Sequence, residues 1–387
     1  MKRIKILHPI TSLDRDGAQQ MMFRLIQNLP NDLYQHVVVS LRERMPFADE
    51  IEALGVRVYC LDMAPAWPSL RAFFKLRQLI EIEKPQIIQS WLYHANIYAA
   101  ISSHTRLRNI PLVWGVRGSL DTGWERGLLT GLVIKASAYL SHLPAAITFN
   151  SKNSIEQHRL NGFKNDQMVY LPNGFDLVRF NSNAEIRERV RSRLGLAEDV
   201  CLIGLAGRYD QAKDYPTFIR AFKLLREAVP TVHALLIGRG LDAQVSPIQN
   251  LIEQLDLASS VTLWGVQGDL AQYFPAFDVF CSSSITEGFP NVVAEALACK
   301  VPCVVTNVGM GAELVQNAGV SVPPSDPRLL AEGLSAMVRL TPEQRLVLGE
   351  NGRERINREY SLQAVTHIFD SLYQSLCNVK EGIEHYG

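Results

Sequence analysis

Short apolar runs alternate with amphipathic stretches along the whole chain. In the first half the runs are IKILHPI, HVVVSL, VRVYCL, IIQSW, PLVWGV, AAITF and MVYLP. They are rich in β-branched residues and bounded by turn formers, which predicts strands. Helical patterns lie between most of them. Residues 68–83, for example, combine an apolar stripe of Leu70, Phe73, Phe74 and Leu79 with the basic Arg77. Continuously apolar strands separated by helices are the signature of a parallel sheet covered on both faces. The Pro-Asn-Gly turn in LPNGFDLVRFNSNAEIRERVRSRLGL interrupts this pattern, and the charged stretch after it reads as an inter-domain linker. The alternation then resumes with CLIGLAG, HALLIG, VTLWG, DVFCSSS and PCVVTNV. The expected fold is therefore α/β, two doubly wound domains in tandem over 1–175 and 176–362, with a closing segment at 363–387. Such sheets bind ligands beyond the carboxyl ends of their strands, so the expected site is a cleft between the two domains.

Composition narrows the class. A chain of 387 residues has room for two cores, and 47% hydrophobic with 20% charged residues describes an ordinary globular protein. Lys plus Arg equals Asp plus Glu at 39 each, which argues against a nucleic-acid partner bound through a broad basic face. The six cysteines are scattered. Cys299 and Cys303 are spaced C-x3-C, but no second pair or histidine cluster completes a metal site, so reduced thiols of a cytoplasmic protein are expected. The basic start MKRIKILHPI has too short an apolar run for a signal peptide. The most apolar window, GLLTGLVIKASAYLSHLP, is interrupted by Lys135 and falls short of a transmembrane helix. RAFFKLRQ and TGWERGLLTGLVIK pair aromatic with basic residues, leaving open a peripheral contact with the inner face of the cytoplasmic membrane as well as a helix packed on its own sheet.

Candidate chemistry centres on EGFPNVVAEALA, which follows the strand DVFCSSS. Pro290 is favoured in a first helical turn, which makes Glu287, Gly288 and Phe289 a loop before a helix start suited to anions. The following helix has almost no polar face, so Glu295 is expected to be buried. A carboxylate there fits a ligand offering adjacent hydroxyls such as a ribose, or else a salt bridge to a distant base. GLAGRYDQAKDY places Gly207, Arg208 and Lys213 after another strand, just before a helix near Asp214, where two cations suit a diphosphate. LDRDGAQQMM puts Gly17 at a helix start behind the first strand, where its backbone can approach a ligand at the cleft, a donor-binding candidate. Its Asp14-Arg15-Asp16 is a D-x-D, read here as a solvated loop with no metal expected. Gly238 and Gly240 lack the third glycine of a dinucleotide fingerprint, and no phosphate-binding G-x4-GK[ST] loop or G-x-S-x-G nucleophile elbow is present.

Together, Glu287 and Glu295 as E-x7-E around GFPN, Gly207-Arg208 with Lys213, LPNGFD and the loop at Gly17 resemble the retaining glycosyltransferases of family 4. These have the GT-B fold, two Rossmann-like domains facing across a cleft. The WLYHAN and WGVRGS segments look most like bacterial exopolysaccharide and cell-envelope members. The resemblance implies a nucleoside-diphosphate sugar, with uridine as the base, as donor substrate, with no cofactor. Arg208 and Lys213 would hold the diphosphate, Glu295 the ribose, and Glu287 with Gly288, Phe289, Pro290 and Asn291 the donor sugar or phosphate. The first domain would take a glycan or lipid-linked acceptor, and the last helix would return to it. Two departures stand out. Many relatives have GGAE where this chain has DGAQ, so Asp16 replaces a glycine. Many also have a histidine near the reacting carbon where this chain has Arg117, which binds phosphate or hydroxyl groups but is no base. Asp16, His94 and Arg117 are therefore the acceptor-side candidates, with Arg117 also a catalytic candidate. The rival readings are a sugar-nucleotide 2-epimerase and a non-catalytic sugar-nucleotide-binding protein.

Overall fold

The computed structural model describes residues 3–64, 69–104, 110–120, 128–242 and 247–384. The chain divides into two compact units, one of 1–174 with 362–387 and one of 175–361.

The first unit is built on β1 (Ile4–Ile10), β2 (Tyr34–Ser40), β3 (Arg57–Cys60), β4 (Ile87–Trp91), β5 (Leu112–Val116), β6 (Ala146–Phe149) and β7 (Met168–Tyr170). The order across the sheet is β3-β2-β1-β4-β5-β6-β7, and every pairing is parallel. Alternation along each strand supplies two cores, because successive side chains point to opposite faces. Ile6, Ile10 and Val38 pack on one side with Met21, Met22 and Leu25 of the helix Gly17–Asn28. Leu7, Val37 and Val39 pack on the other with Ala72, Leu76 and Ile80 of the helix Leu70–Glu83. The last helix, Leu362–Glu384, belongs to this unit: Val365, Phe369 and Tyr373 enter its core, and Tyr34 Oη donates to Asp370 Oδ1 at 2.5 Å.

The second unit is built on β8 (Cys201–Ala206), β9 (Val232–Ile237), β10 (Val261–Trp264), β11 (Val279–Ser282), β12 (Cys303–Thr306) and β13 (Gly319–Val322). Its order is β10-β9-β8-β11-β12-β13, again parallel. In each sheet the strand order reverses once, between β1 and β4 and between β8 and β11. These are the switch points at which neighbouring connections leave to opposite faces and open a crevice. The strand β13 escapes the sequence reading because GVSV is short and half-exposed.

The charged stretch expected as a linker is instead structural. Phe175 and Phe180 are buried, and Asn183 caps a helix, Ala184–Arg193, by accepting from Ile186 N at 2.9 Å. The helix is held by Asp278, immediately before β11, which accepts from Arg187 Nη2 at 2.6 Å and Arg191 Nη1 at 3.1 Å. Its basic residues look like a solvated run because the acid that pairs with them is remote in sequence. Of the six cysteines, Cys201, Cys281, Cys299 and Cys303 are buried and Cys60 and Cys377 half-buried, all as free thiols.

Candidate active site

The switch point of the second unit brings together the loops after β8 and β11. Gly207 follows β8, and Lys213 closes a short 3-10 turn, Gln211–Lys213, that leads into the helix Tyr215–Ala228. Asp214 caps that helix in a left-handed conformation (φ 45°), accepting from Thr217 N at 3.3 Å. The two loops are stitched through backbone atoms: Ser283 Oγ donates to Lys213 O at 2.8 Å, and Ile285 N donates to Ala212 O at 2.9 Å. This fixes Lys213 opposite Glu287. Lys213 Nζ is hydrogen-bonded to Glu287 Oε1, which also accepts from Ser284 Oγ at 2.8 Å. The side chains of this ion pair are 28% and 13% exposed, so it is a sheltered pair that still opens to solvent. Arg208 is more exposed, and its Nε donates to Asp210 Oδ2 at 3.0 Å. The Ala212 N–H is the main influence lowering the Asp210 pKa, with Arg208 adding to it against partial burial. Both cations thus sit in place, held by carboxylates that an incoming anion can rival.

Beyond Glu287 the helix Asn291–Ala298 starts directly after Pro290. Glu295 is 8% exposed on it, between Ala294 and Ala296, which are fully buried. Burial first, then the Glu295 charge, push the Cys299 thiol above its usual range. Phe289 faces inward: its ring stacks on Phe175 at 5.8 Å and meets Tyr360 edge-on at 5.5 Å. Only its backbone remains for a ligand, while its side chain anchors the loop. A small pocket beside the ion pair is lined by Lys213, Tyr215, Ser282, Ser283, Ser284 and Val292.

Several supports of this site were missed in the sequence. Ser283 and Ser284 read only as the end of the strand DVFCSSS until the chain folds. Gly309, in the loop after β12, has φ +53°, and a Cβ there would lie 2.3 Å from Glu287 O and 2.6 Å from Gly288 O. Met310 N donates to Gly288 O at 3.1 Å, so this third loop is a backing plate for the Glu287 turn. Gly238 plays the same part behind Gly207, whose carbonyl oxygen would be 1.8 Å from an added Cβ. Its glycine serves backbone packing and does not belong to a dinucleotide fingerprint.

The remaining candidates lie in the first unit. Gly17 begins the helix Gly17–Asn28, and Asp16 occupies its N-cap position, extended, without a side-chain cap hydrogen bond. In the D-x-D segment, Asp14 Oδ2 accepts from Ser12 Oγ at 2.6 Å and Arg15 pairs with Glu50. Arg117, just past β5, is partly structural. Its Nη1 donates to Leu171 O at 2.8 Å, and the guanidinium lies 5.1 Å from the Trp91 ring centre and 5.9 Å from that of Phe369. Its Nε and Nη2 are enclosed without a hydrogen-bond partner among the described residues, and burial lowers its pKa to about 10. His94, in the helix Tyr93–His104, is exposed. Partial enclosure of its ring, then the charge of Arg42, lower its pKa. The described residues contain no group of three His, Cys, Asp or Glu side chains placed to hold a metal ion.

The second parallel α/β unit thus holds a Lys–Glu pair, a further cation and a helix start at its switch point. Comparison with known proteins gives the class. Residues 15–179 match the family model for Glycosyltransferase Family 4, and residues 186–355 match that for Glycosyl transferases group 1. The chain belongs to this glycosyltransferase family and is an enzyme of that class. It is 26% identical to the capsular polysaccharide biosynthesis glycosyltransferase CapM of Staphylococcus aureus, covering 99% of this chain and 100% of that one. It is 23% identical to the Escherichia coli UDP-Gal:alpha-D-GlcNAc-diphosphoundecaprenol alpha-1,3-galactosyltransferase, over 93% and 94% of the two chains. The Anabaena HepE structure, in complex with UDP and glucose, superposes with a TM-score of 0.83 at 20% identity, covering 96% of this chain and 100% of that one. The likeness is one of fold, two Rossmann-like domains of the GT-B class.

Proposed function

We propose that the protein is a retaining glycosyltransferase of polysaccharide or cell-envelope biosynthesis, using a UDP-sugar donor. The observation that carries this reading is the Lys213–Glu287 pair, fixed by Ser283 and Ser284 at the switch point beside the helix start. The second unit would bind the donor, with its diphosphate on Lys213, Arg208 and the helix start. As the bond from the anomeric carbon to the diphosphate oxygen breaks, those charges would stabilise the leaving group. Glu295 would receive the ribose hydroxyls, and Glu287, with the backbone of Gly288 to Asn291, would orient the donor sugar. An acceptor hydroxyl bound by the first unit would form the new bond on the face that the diphosphate leaves, passing its proton to the departing diphosphate oxygen. Uridine as the base is favoured by the UDP in the Anabaena structure and by the UDP-Gal donor of the Escherichia coli relative. A glycan or lipid-linked acceptor is favoured by the capsular polysaccharide biosynthesis of the Staphylococcus aureus relative and by the GlcNAc-diphosphoundecaprenol named for the Escherichia coli one.

The test is transfer with purified protein after a thermal-shift screen of nucleotide sugars, because a donor that binds the native state raises its melting temperature. Lys213→Ala and Glu287→Ala are expected to abolish measurable transfer, at least ~10²-fold, while the fold survives. Full activity in either variant overturns the site assignment, and an epimer formed without acceptor points to the isomerase reading.

A peripheral membrane contact belongs to the same proposal. No helix among the described residues is long and apolar enough to cross a membrane. The helices Leu70–Glu83 and Leu128–Leu140 cover the same sheet face and leave Leu70, Phe74, Leu132 and Tyr139 exposed beside Arg71 and Lys135. Residues 122–127 of the expected patch lie outside the described residues. Flotation with anionic vesicles, lost in Leu132→Glu/Tyr139→Glu, is the expected result. Flotation unchanged by the double substitution removes this face from consideration.

A further inference from the structure

The first unit holds a second constellation, resting on the reading that this unit takes the acceptor. Its switch point lies between β1 and β4. Ile10 pairs with Ser40 on one side and Trp91 on the other, so Thr11, Arg42 and the Leu92–His94 turn leave the sheet at one level. With neighbouring strands about 4.8 Å apart, these groups emerge within about 10 Å of one another. Leu92 has φ 71°, a sharp turn that starts the helix Tyr93–His104 at this edge.

The polar groups gathered here are unfinished. Ser40 is fully buried, yet its Oγ has no hydrogen-bond partner among the described residues, and neither do Thr11 Oγ1 and Arg42 Nε. No carboxylate among the described residues pairs with the Arg42 guanidinium. In the β1 loop, Asp14 accepts from Ser12. His94 adds a second group that feels the Arg42 charge. A half-buried guanidinium with an enclosed Nε and no counter-charge is unfavourable alone, and hydroxyls without partners compound it. A phosphate answers the charge: its oxygens accept from the solvent-reaching part of the Arg42 guanidinium and from the exposed His94 imidazole, while the Ser40 and Thr11 hydroxyls stay enclosed. A neutral sugar leaves the charge unmatched.

We propose that Arg42, with His94 beside it, binds a phosphate or diphosphate group of the acceptor. The experiment uses the full chain with UDP at saturating concentration, so that the cations of the second unit are occupied. Geranyl diphosphate is titrated calorimetrically, with geraniol as the uncharged control and inorganic pyrophosphate as the lipid-free one. The wild type is expected to bind the diphosphate and not the alcohol. Arg42→Gln is expected to weaken that binding tenfold or more, Arg42→Lys less, with UDP affinity unchanged in both. Tighter binding of geranyl diphosphate than of pyrophosphate supports a lipid-linked acceptor, and equal binding supports a soluble phosphorylated one. Absence of diphosphate binding, or equal binding by wild type and Arg42→Gln, overturns the proposal. UDP binding that persists in either case leaves the donor site intact.

Discussion

Removing the Asp278 side chain tests how the second unit is held together. The carboxylate is 11% exposed and takes hydrogen bonds from three sources: Arg187 Nη2, Arg191 Nη1 and Leu202 N, the last at 2.8 Å. The two arginines differ sharply in setting. Arg191 is 10% exposed, with Nη2 bound to the carbonyls of Ala197 and Val200, whereas Arg187 is 38% exposed. Asp278→Ala therefore strands a buried cation and orphans a strand N–H. Breaking a buried pair from one side costs about 3–5 kcal/mol, a figure that already includes much of the desolvation of the stranded partner. Arg187→Ala removes an exposed partner and should cost under about 1 kcal/mol. Because a two-unit chain need not unfold in one step, the measurement is native-state hydrogen exchange of the β8 and β11 amides. Asp278→Ala should lower their protection by the larger amount, Arg187→Ala by the smaller. UDP affinity should hold at temperatures where the variant is folded, since Asp278 precedes β11 and Glu287 follows it. Equal losses in the two variants would refute the argument that burial of Arg191 makes this acid matter.

Other outcomes follow from single geometries. Gly309→Ala places a methyl against the Glu287 and Gly288 carbonyls, and a displacement of about 1 Å at a reacting group can cost ~10²-fold. Steady-state kinetics should show that loss in kcat/KM with a smaller change in melting temperature. His8 and His36 form a buried pair, with Nε2 and Nδ1 3.0 Å apart, and Trp91 Nε1 donates to His8 Nδ1 at 3.3 Å. Burial holds the His36 pKa down at about 4, against about 6.5 unfolded. The unfolded chain therefore takes up protons first as pH falls, and stability is lost from pH ~6.5 toward ~4, by on the order of 3 kcal/mol for His36. Urea midpoints across that range should fall more steeply for the wild type than for His36→Gln.

Much of the architecture could be read from the chain because its causes are local. HVVVSL, IIQSW and CLIGLAG could only be buried strands, and EGFPNVVAEALA carried its own helix start in Pro290. The failures share a cause too. The arginines of the helix Ala184–Arg193 read as a solvated linker because Asp278 lies far along the chain. Phe289 read as part of a ligand loop because its aromatic neighbours, Phe175 and Tyr360, are equally remote. GVSV was passed over because an edge strand needs only one neighbour and little apolar content.

By itself the sequence determined the alternation of strands and helices, the division into two units and the spacing that sets Glu287 on a loop and Glu295 on a buried helix. Those features follow from side-chain period, turn residues and helix starts, which act over a few residues. Sheet order decided the rest. Placing β8 beside β11 brought Lys213 onto Glu287, the loop after β12 brought Gly309 behind them, and placing β1 between β2 and β4 brought the Arg42 loop and the His94 turn to one level. These meetings depend on which strands become neighbours, and that is settled by the packing of the whole unit.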